Sequence, residues 1–289
     1  VNYYRSALLL AEGQRLPDDL AAEVRRAEAA MAELNDRNAA ARDESLAAHG
    51  FPEGSRSPRF QQALDIIAGK KRIFVQEPSA FYFPGLPQIQ FYDTGQFDWV
   101  AAVEAQWRTI RDEIAPVLAE GREGFRPYIQ SEVNQPRTDD NPLLDSPDWS
   151  TLFLCDNGVL SDAMVERFPK TWEAVQAAPL TRIPNSSPTV MFSLLRPGAR
   201  IIPHNGVHNA RLICHLPLIV PPGCGFRVGS EVREWEEGRM LIFDDSIEHE
   251  AWNHGSQDRL ILIFDIWRPE ISEQERREIT ALFQGPKLD

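Results

Sequence analysis

Five of the six histidines, His204, His208, His215, His249 and His254, fall in one short stretch of a 289-residue chain. Neutral imidazole is a natural ligand for iron, copper or zinc. Three of these residues sit on segments with a readable pattern: His204 after Ile201-Ile202-Pro203, His215 within RLICHLPLIV, and His249 within IFDDSIEHEAW. A common non-haem iron site starts with a histidine and places a carboxylate two residues later. Here that position is Gly206, which cannot coordinate. Residue chemistry alone weakens the case for iron and leaves zinc open, or histidines that are simply buried and hydrogen-bonded.

Bringing distant histidines together is a task for a β-fold. Short apolar runs appear near 188–195, 199–203, 210–220, 224–229, 239–243 and 259–267, separated by turn signals such as Arg196-Pro197-Gly198 and Pro221-Pro222-Gly223. This spacing predicts a jelly roll, in which strands remote in sequence share an inner face. Along 211–215, alternation puts Arg211, Ile213 and His215 on one face and Cys214, expected to be buried and inert, on the other.

Upstream, residues 1–75 read as a helical extension and 76–289 as the β-domain. Leu20, Val24, Ala27, Met31 and Leu34 form one helical stripe, and Ser57-Pro58 opens a second helix through Phe60, Leu64 and Ile67. These helices are expected to pack as a lid, with a homo-oligomer contact as the other use. Pro78–Asp93 reads as an extended segment laid over the core, and one long helix is expected from Val100 through Leu118. Residues 130–148 read as a rim loop, and Ser272-Glu273-Gln274-Glu275 as a capping box opening a last helix.

Composition excludes several functions. With 30 basic against 43 acidic residues the net charge is −13, the wrong sign for a general nucleic-acid binder. No apolar run approaches the roughly 20 residues that span a bilayer, so no membrane role is expected. Three cysteines without a CxxC, and no visible secretory signal, predict a reducing, cytoplasmic setting.

The run PHNGVHNARLICHLPLIVPPGCGFRVGSEVREWEEGRMLIFDDSIEHEAWNHGSQDRLILIFDIWRPE (203–270), with FSLLRPGARIIPH before it, resembles the aspartyl/asparaginyl β-hydroxylase family. FYFPGLP (81–87) and DWS (148–150) extend the likeness more loosely. The resemblance implies a double-stranded β-helix and an Fe(II)- and 2-oxoglutarate-dependent dioxygenase that consumes O2. It implies His204 and His249 as iron ligands, with glycine, Gly206 here, where a carboxylate ligand would stand. It also implies Ser193 and Arg259 as the clamp on the distal carboxylate of 2-oxoglutarate, and a guanidinium fork suits that task. His215 would contact the co-substrate, Arg211 the substrate, and Asp245 would line the substrate site or brace the iron shell. The family commonly has arginine at both 211 and 213, so Ile213 removes a cation from the pocket.

The implied reaction is hydroxylation of an unactivated C–H, by analogy the β-carbon of an Asp- or Asn-like residue in a peptide or protein. A small-metabolite oxygenase, a non-catalytic jelly-roll binding module and a zinc hydrolase are the alternatives. Relatives acting on lipid acyl chains carry membrane-spanning segments, which disfavours that branch here. Trp235 and Trp252 are expected in the core, and His208 and His254 on the surface.

Overall fold

In the computed structural model of the protein, residues 2–11, 13–14, 16–131 and 141–284 are described. The chain divides into two compact units, Val1–Ile73 and Phe74–Asp289. The first is helical: α1 (Asn2–Ala11), α2 (Asp18–Ala48) and α3 (Pro58–Ile67). Ser57 caps α3 by accepting from the Phe60 amide, and Pro58 occupies the first turn, where its missing N–H costs nothing. Of the apolar stripe on α2, Ala27 and Met31 are buried while Leu20 is exposed.

Among its described residues the second unit carries twelve strands. In chain order they are β1 (Phe91–Tyr92), β2 (Arg126–Pro127), β3 (Trp149–Asp156), β4 (Val159–Leu160), β5 (Val190–Leu195) and β6 (Arg200–His204). There follow β7 (Arg211–Ile219), β8 (Cys224–Val228), β9 (Glu231–Arg233), β10 (Leu241–Phe243), β11 (His249–Asn253) and β12 (Arg259–Trp267). The larger sheet runs β1-β10-β7-β12-β5-β3-β2, with β4 paired to β3, and the smaller runs β6-β11-β8-β9. Every pairing between these named strands is antiparallel.

Two sheets with these crossovers make the predicted double-stranded β-helix. One apolar cluster, including Leu195, Ile201, Phe226, Phe243 and Ile261, draws on both sheets and fills the space between them. A second lies on the outer face of the larger sheet. It is covered by α4 (Val100–Glu104), α5 (Trp107–Ala119), α6 (Asp162–Arg167) and α7 (Pro169–Val175). Strand β12 shows the division: Leu260, Leu262 and Phe264 join the outer cluster, and Arg259, Ile261, Ile263 and Asp265 alternate to the inner face. The final helix α8 (Glu273–Gln284) opens with the predicted box, Ser272 Oγ and N each 2.7 Å from the Glu275 carboxylate.

One expectation changes, one strand was not anticipated, and part of one expected loop lies outside the described residues. The helix expected across 100–118 is broken at Ala105–Gln106 into α4 and α5. The turn spanning Gly238–Met240 pulls on both sides of the break. Glu104 accepts from the Met240 amide at 2.8 Å, and Trp107 packs so closely on Gly238 that a Cβ there would lie 2.6 Å away. Strand β3 is buried on both faces and so lacks the alternation that identifies a half-exposed strand. Of the expected rim loop at 130–148, residues 132–140 lie outside the described residues.

Candidate active site

His204 ends β6 and His249 begins β11, and the two are direct partners across that antiparallel pair. Their ring centroids are 4.1 Å apart. Each ring is oriented by a carbonyl two residues earlier. His204 Nδ1 lies 2.8 Å from the Ile202 oxygen, and His249 Nδ1 lies 3.1 Å from the Ile247 oxygen. A carbonyl only accepts, so each Nδ1 carries the hydrogen and each Nε2 keeps its lone pair. Burial pushes both imidazoles below their ordinary pKa, His249 strongly, with His204 adding to the effect. Both rings are therefore neutral, ligand-ready bases at neutral pH.

Gly206 is explained by what lies over it. A Cβ at this position would fall 2.2 Å from Asp245 Oδ2, and the Gly206 amide donates to the Asp245 carbonyl at 2.7 Å. Only glycine admits that approach. Among the described residues no third His, Cys, Asp or Glu joins the pair in a metal-holding cluster.

Ser193 on β5 and Arg259 on β12 sit on adjacent strands and share the inner face. Arg259 is 1% exposed, donates from Nη2 to Ser193 Oγ at 3.2 Å, and stacks 5.0 Å above the Trp235 ring. Among the described residues no carboxylate pairs with it and its Nε has no partner, and burial lowers its pKa to about 10. An unpaired buried guanidinium costs several kcal/mol, so an anion belongs beside it. Ser193 Oγ also accepts from Trp149 Nε1 at 3.1 Å. Both of its lone pairs are thus taken, and its own O–H is free to donate into the pocket.

His215 on β7 is wedged between Phe226 and Phe243, with centroids 5.0 and 4.7 Å away. Trp235 Nε1 donates to its Nδ1 at 3.4 Å. Burial first, and Arg259 second, keep the ring neutral, so its Nε2 carries the hydrogen. His204, His249, Ser193, Arg259 and His215 line one cavity of about 250 Å³, together with Arg211, Ile213 and Asp245. The seven residues singled out by sequence, His204, His249, Ser193, His215, Arg259, Arg211 and Asp245, therefore meet in a single pocket. Cys214 is buried on the opposite side of β7, as alternation required.

Arg211 is not free. Its Nη2 lies 3.3 Å from Asp245 Oδ2, and its Nη1 lies 3.3 Å from Ser187 Oγ and 3.9 Å from Asp265 Oδ2. Desolvation raises the Asp245 pKa to about 6 against the opposing pull of Arg211. Asp265 is a pocket residue that sequence reading missed; it lies opposite Ile213 in the β12–β7 register, a pairing visible only in the fold.

Also missed was the support beneath the loop leading to His249. Asp244 and Arg268 are fully buried and paired at 2.7 Å. Asp244 further accepts from Gln76 Nε2 at 2.6 Å and from the Ser246 amide at 3.1 Å. Gln76 in turn accepts from Asn209 at 2.9 Å, tying the strand-7 approach to the extended segment before β1.

His208, expected at the surface, is buried at 1% exposure, and among the described residues neither ring nitrogen has a hydrogen-bond partner. Phe283 of α8 covers it, with ring centroids 6.0 Å apart. His254 is exposed as expected, and Trp235 is in the core. Burial, with help from Arg211, drives the His208 pKa well below its usual value. The unfolded chain then takes up a proton near pH 6.5 that the folded chain refuses, so stability present above that pH is lost as pH falls below it. His208→Leu is expected to add about 1 kcal/mol at neutral pH and to flatten the loss of stability on acidification. Urea midpoints at pH values on either side of the histidine range check this; an unchanged pH dependence counts against it.

Fold and pocket together define a double-stranded β-helix protein with a ligand pocket between its sheets. The family model for aspartyl/asparaginyl beta-hydroxylase matches residues 104–269, and the chain belongs to that family. The human aspartyl/asparaginyl beta-hydroxylase is 36% identical over 191 residues, 66% of this chain and 24% of that protein. An ornithine lipid ester-linked acyl 2-hydroxylase from Rhizobium tropici is 39% identical over 181 residues, 62% of this chain and 60% of that one. Human aspartate beta-hydroxylase domain-containing protein 2 is 30% identical over 215 residues, 72% of this chain and 55% of its own length. The chain thus spans less than two thirds of each of these relatives.

Proposed function

We propose that the chain is an Fe(II)- and 2-oxoglutarate-dependent hydroxylase acting on a C–H bond next to a carbonyl carbon. One observation carries this reading: the buried, uncompensated Arg259 shares a cavity with two imidazoles whose Nε2 lone pairs are free. The donor set fits the absent groups. His204 and His249 would hold the iron. Arg259 and the free Ser193 O–H would hold the distal carboxylate of 2-oxoglutarate, and His215 offers a neutral Nε2–H to the same co-substrate. When bound, Fe(II) with 2-oxoglutarate and O2 supplies the oxidising power that puts a hydroxyl on an unactivated carbon.

The protein's own part is positional. The two Nδ1–carbonyl hydrogen bonds fix the imidazole planes, and Asp245, seated over Gly206, places a carboxylate beside them without a bond to the ring nitrogens. Trp149, Phe226 and Phe243 wall the cavity and keep water from it. The β-carbon of an Asp or Asn residue and the 2-carbon of an acyl chain, the targets named for the relatives, are both adjacent to a carbonyl carbon. An Asp- or Asn-like acceptor in a peptide is the reading the family name supports; Ile213, an apolar wall residue, favours an acyl or other small-molecule acceptor.

Purified protein with Fe(II) and ascorbate is expected to convert 2-oxoglutarate to succinate. Arg259→Met is expected to raise the 2-oxoglutarate KM about 10- to 100-fold while iron still binds, the loss of a charge-assisted pair. No succinate from the wild type, or an unchanged KM in the variant, contradicts the proposal.

A further inference from the structure

The aromatic rings around the histidine pair differ in how easily they give up an electron. Indole and phenol rings do so far more readily than the ring of phenylalanine. His249 meets two phenylalanines, Phe226 and Phe243, at 6.2 and 5.7 Å between ring centroids. His204 meets Trp149 at 6.3 Å. Trp149 in turn packs on Tyr128 at 4.2 Å, the two planes inclined by 35°. Tyr128 is 42% exposed, and the ring beyond it, Phe153 at 6.5 Å, offers no further easy step. A series of oxidisable rings therefore runs from one candidate iron ligand to the surface.

Local hydrogen bonds hold this series in place. The Tyr128 amide donates to the Trp149 carbonyl at 3.0 Å, next to the β2–β3 register pair Pro127 and Ser150. Trp149 Nε1 donates to Ser193 Oγ at 3.1 Å, so the indole can lose an electron and keep its proton. Trp235 is a poorer route. It stacks on Phe226 at 5.3 Å, and the Arg259 guanidinium 5.0 Å above its ring opposes any positive charge there.

We infer that Trp149 and Tyr128 form an electron relay through which a soluble reductant, ascorbate, re-reduces the site when 2-oxoglutarate is consumed with no acceptor C–H in place. This rests on the hydroxylase reading above. Conversion of 2-oxoglutarate and O2 to succinate and CO2 uses one oxygen atom and two of the four electrons that O2 takes. The second oxygen atom becomes water with two more electrons and two protons. Each electron leaves Tyr128 as its O–H bond breaks, with the proton passing to water, and crosses Trp149 to the metal site. Ascorbate then returns a hydrogen atom to the phenoxyl radical and becomes monodehydroascorbate. Two such rounds close the balance. With the relay cut, the oxidant falls on the nearest side chains, among them Met191, which lines the cavity.

The test takes the full chain with Fe(II), 2-oxoglutarate and O2, without acceptor or ascorbate, freeze-quenched for electron paramagnetic resonance. A phenoxyl signal is expected, with a hyperfine pattern that collapses when the protein is made with ring-deuterated tyrosine. Tyr128→Phe, which keeps the ring packing, should lose the signal. Trp149→Phe should lose it too, although Tyr128 is still present. Signals are compared per succinate formed, so weaker co-substrate binding in a variant does not enter. Tyr82→Phe, at a 51% exposed position outside the cavity lining, should leave the signal unchanged. Peptide mass mapping gives a second readout: Tyr128→Phe should gain oxygen atoms on Trp149 and Met191, and the wild type with ascorbate should gain none. Succinate formed without a phenoxyl signal, or a signal that survives Tyr128→Phe or Trp149→Phe, overturns the relay and leaves the hydroxylase reading intact. Failure of iron-dependent 2-oxoglutarate binding removes the hydroxylase reading and the relay with it.

Discussion

His249→Ala is expected to abolish 2-oxoglutarate turnover, to below about one-thousandth of the wild-type rate. The size of the effect follows from how few ligands the chain offers. Among the described residues nothing outside the histidine pair joins it in a metal-holding cluster, so removing one imidazole leaves a single protein ligand. His204→Ala should be as damaging, and the double variant no worse than either, because the two act as one unit. His254→Ala, at an exposed position, serves as the control. The fold should survive. His249 loses a hydrogen bond to the Ile247 carbonyl and its ring contacts with Phe226 and Phe243, about 1–3 kcal/mol together, so the melting temperature falls without unfolding the domain. Succinate formation and metal content, measured on the same samples, check the prediction; normal turnover in either single variant would remove the ligand assignment.

Asp244→Ala is expected to be the most destabilising single change in the β-domain. It strips the partner from Arg268, which is fully buried, and leaves the donors of Gln76 and Ser246 without their acceptor. Breaking a buried pair from one side costs about 3–5 kcal/mol, a large part of the roughly 5–15 kcal/mol that holds a domain together. Glu270, 3.5 Å from Arg268 Nε, and the Tyr92 hydroxyl, 2.6 Å from its Nη2, offset part of that loss. The double replacement Asp244→Leu with Arg268→Met should recover much of the stability, since no charge is then stranded. It should not recover full activity, because the hydrogen bonds that shape the 244–248 loop before His249 are gone. Urea midpoints for the single and double variants separate these effects. A single variant as stable as the wild type contradicts the role given to this pair.

What could be read from the residues was whatever obeys a short period or a local motif. Alternation along β7 placed Arg211, Ile213 and His215 on the pocket side, and the cap at Ser57 and the box at Ser272 marked helix starts. The histidine pair itself was not legible from spacing: it depends on cross-strand register between β6 and β11, and the family likeness supplied it in advance. Asp265 and Arg268 escaped notice because their partners come from other strands and loops, and no periodicity links them. His208 was expected at the surface; the cover that buries it comes from Phe283, far along the chain. Strand β3, which brings Trp149 to Ser193, was hidden by burial on both faces.

The account stands on two imidazoles and one orphaned guanidinium acting on the same ligand. Equilibrium dialysis of radiolabelled 2-oxoglutarate under argon, with and without Fe(II), addresses that directly. The expected result is about one co-substrate bound per chain in the presence of iron, little in its absence, loss of binding in His204→Ala and His249→Ala, and weakened binding in Arg259→Met. Binding that ignores iron, or that persists when both histidines are replaced, would contradict it.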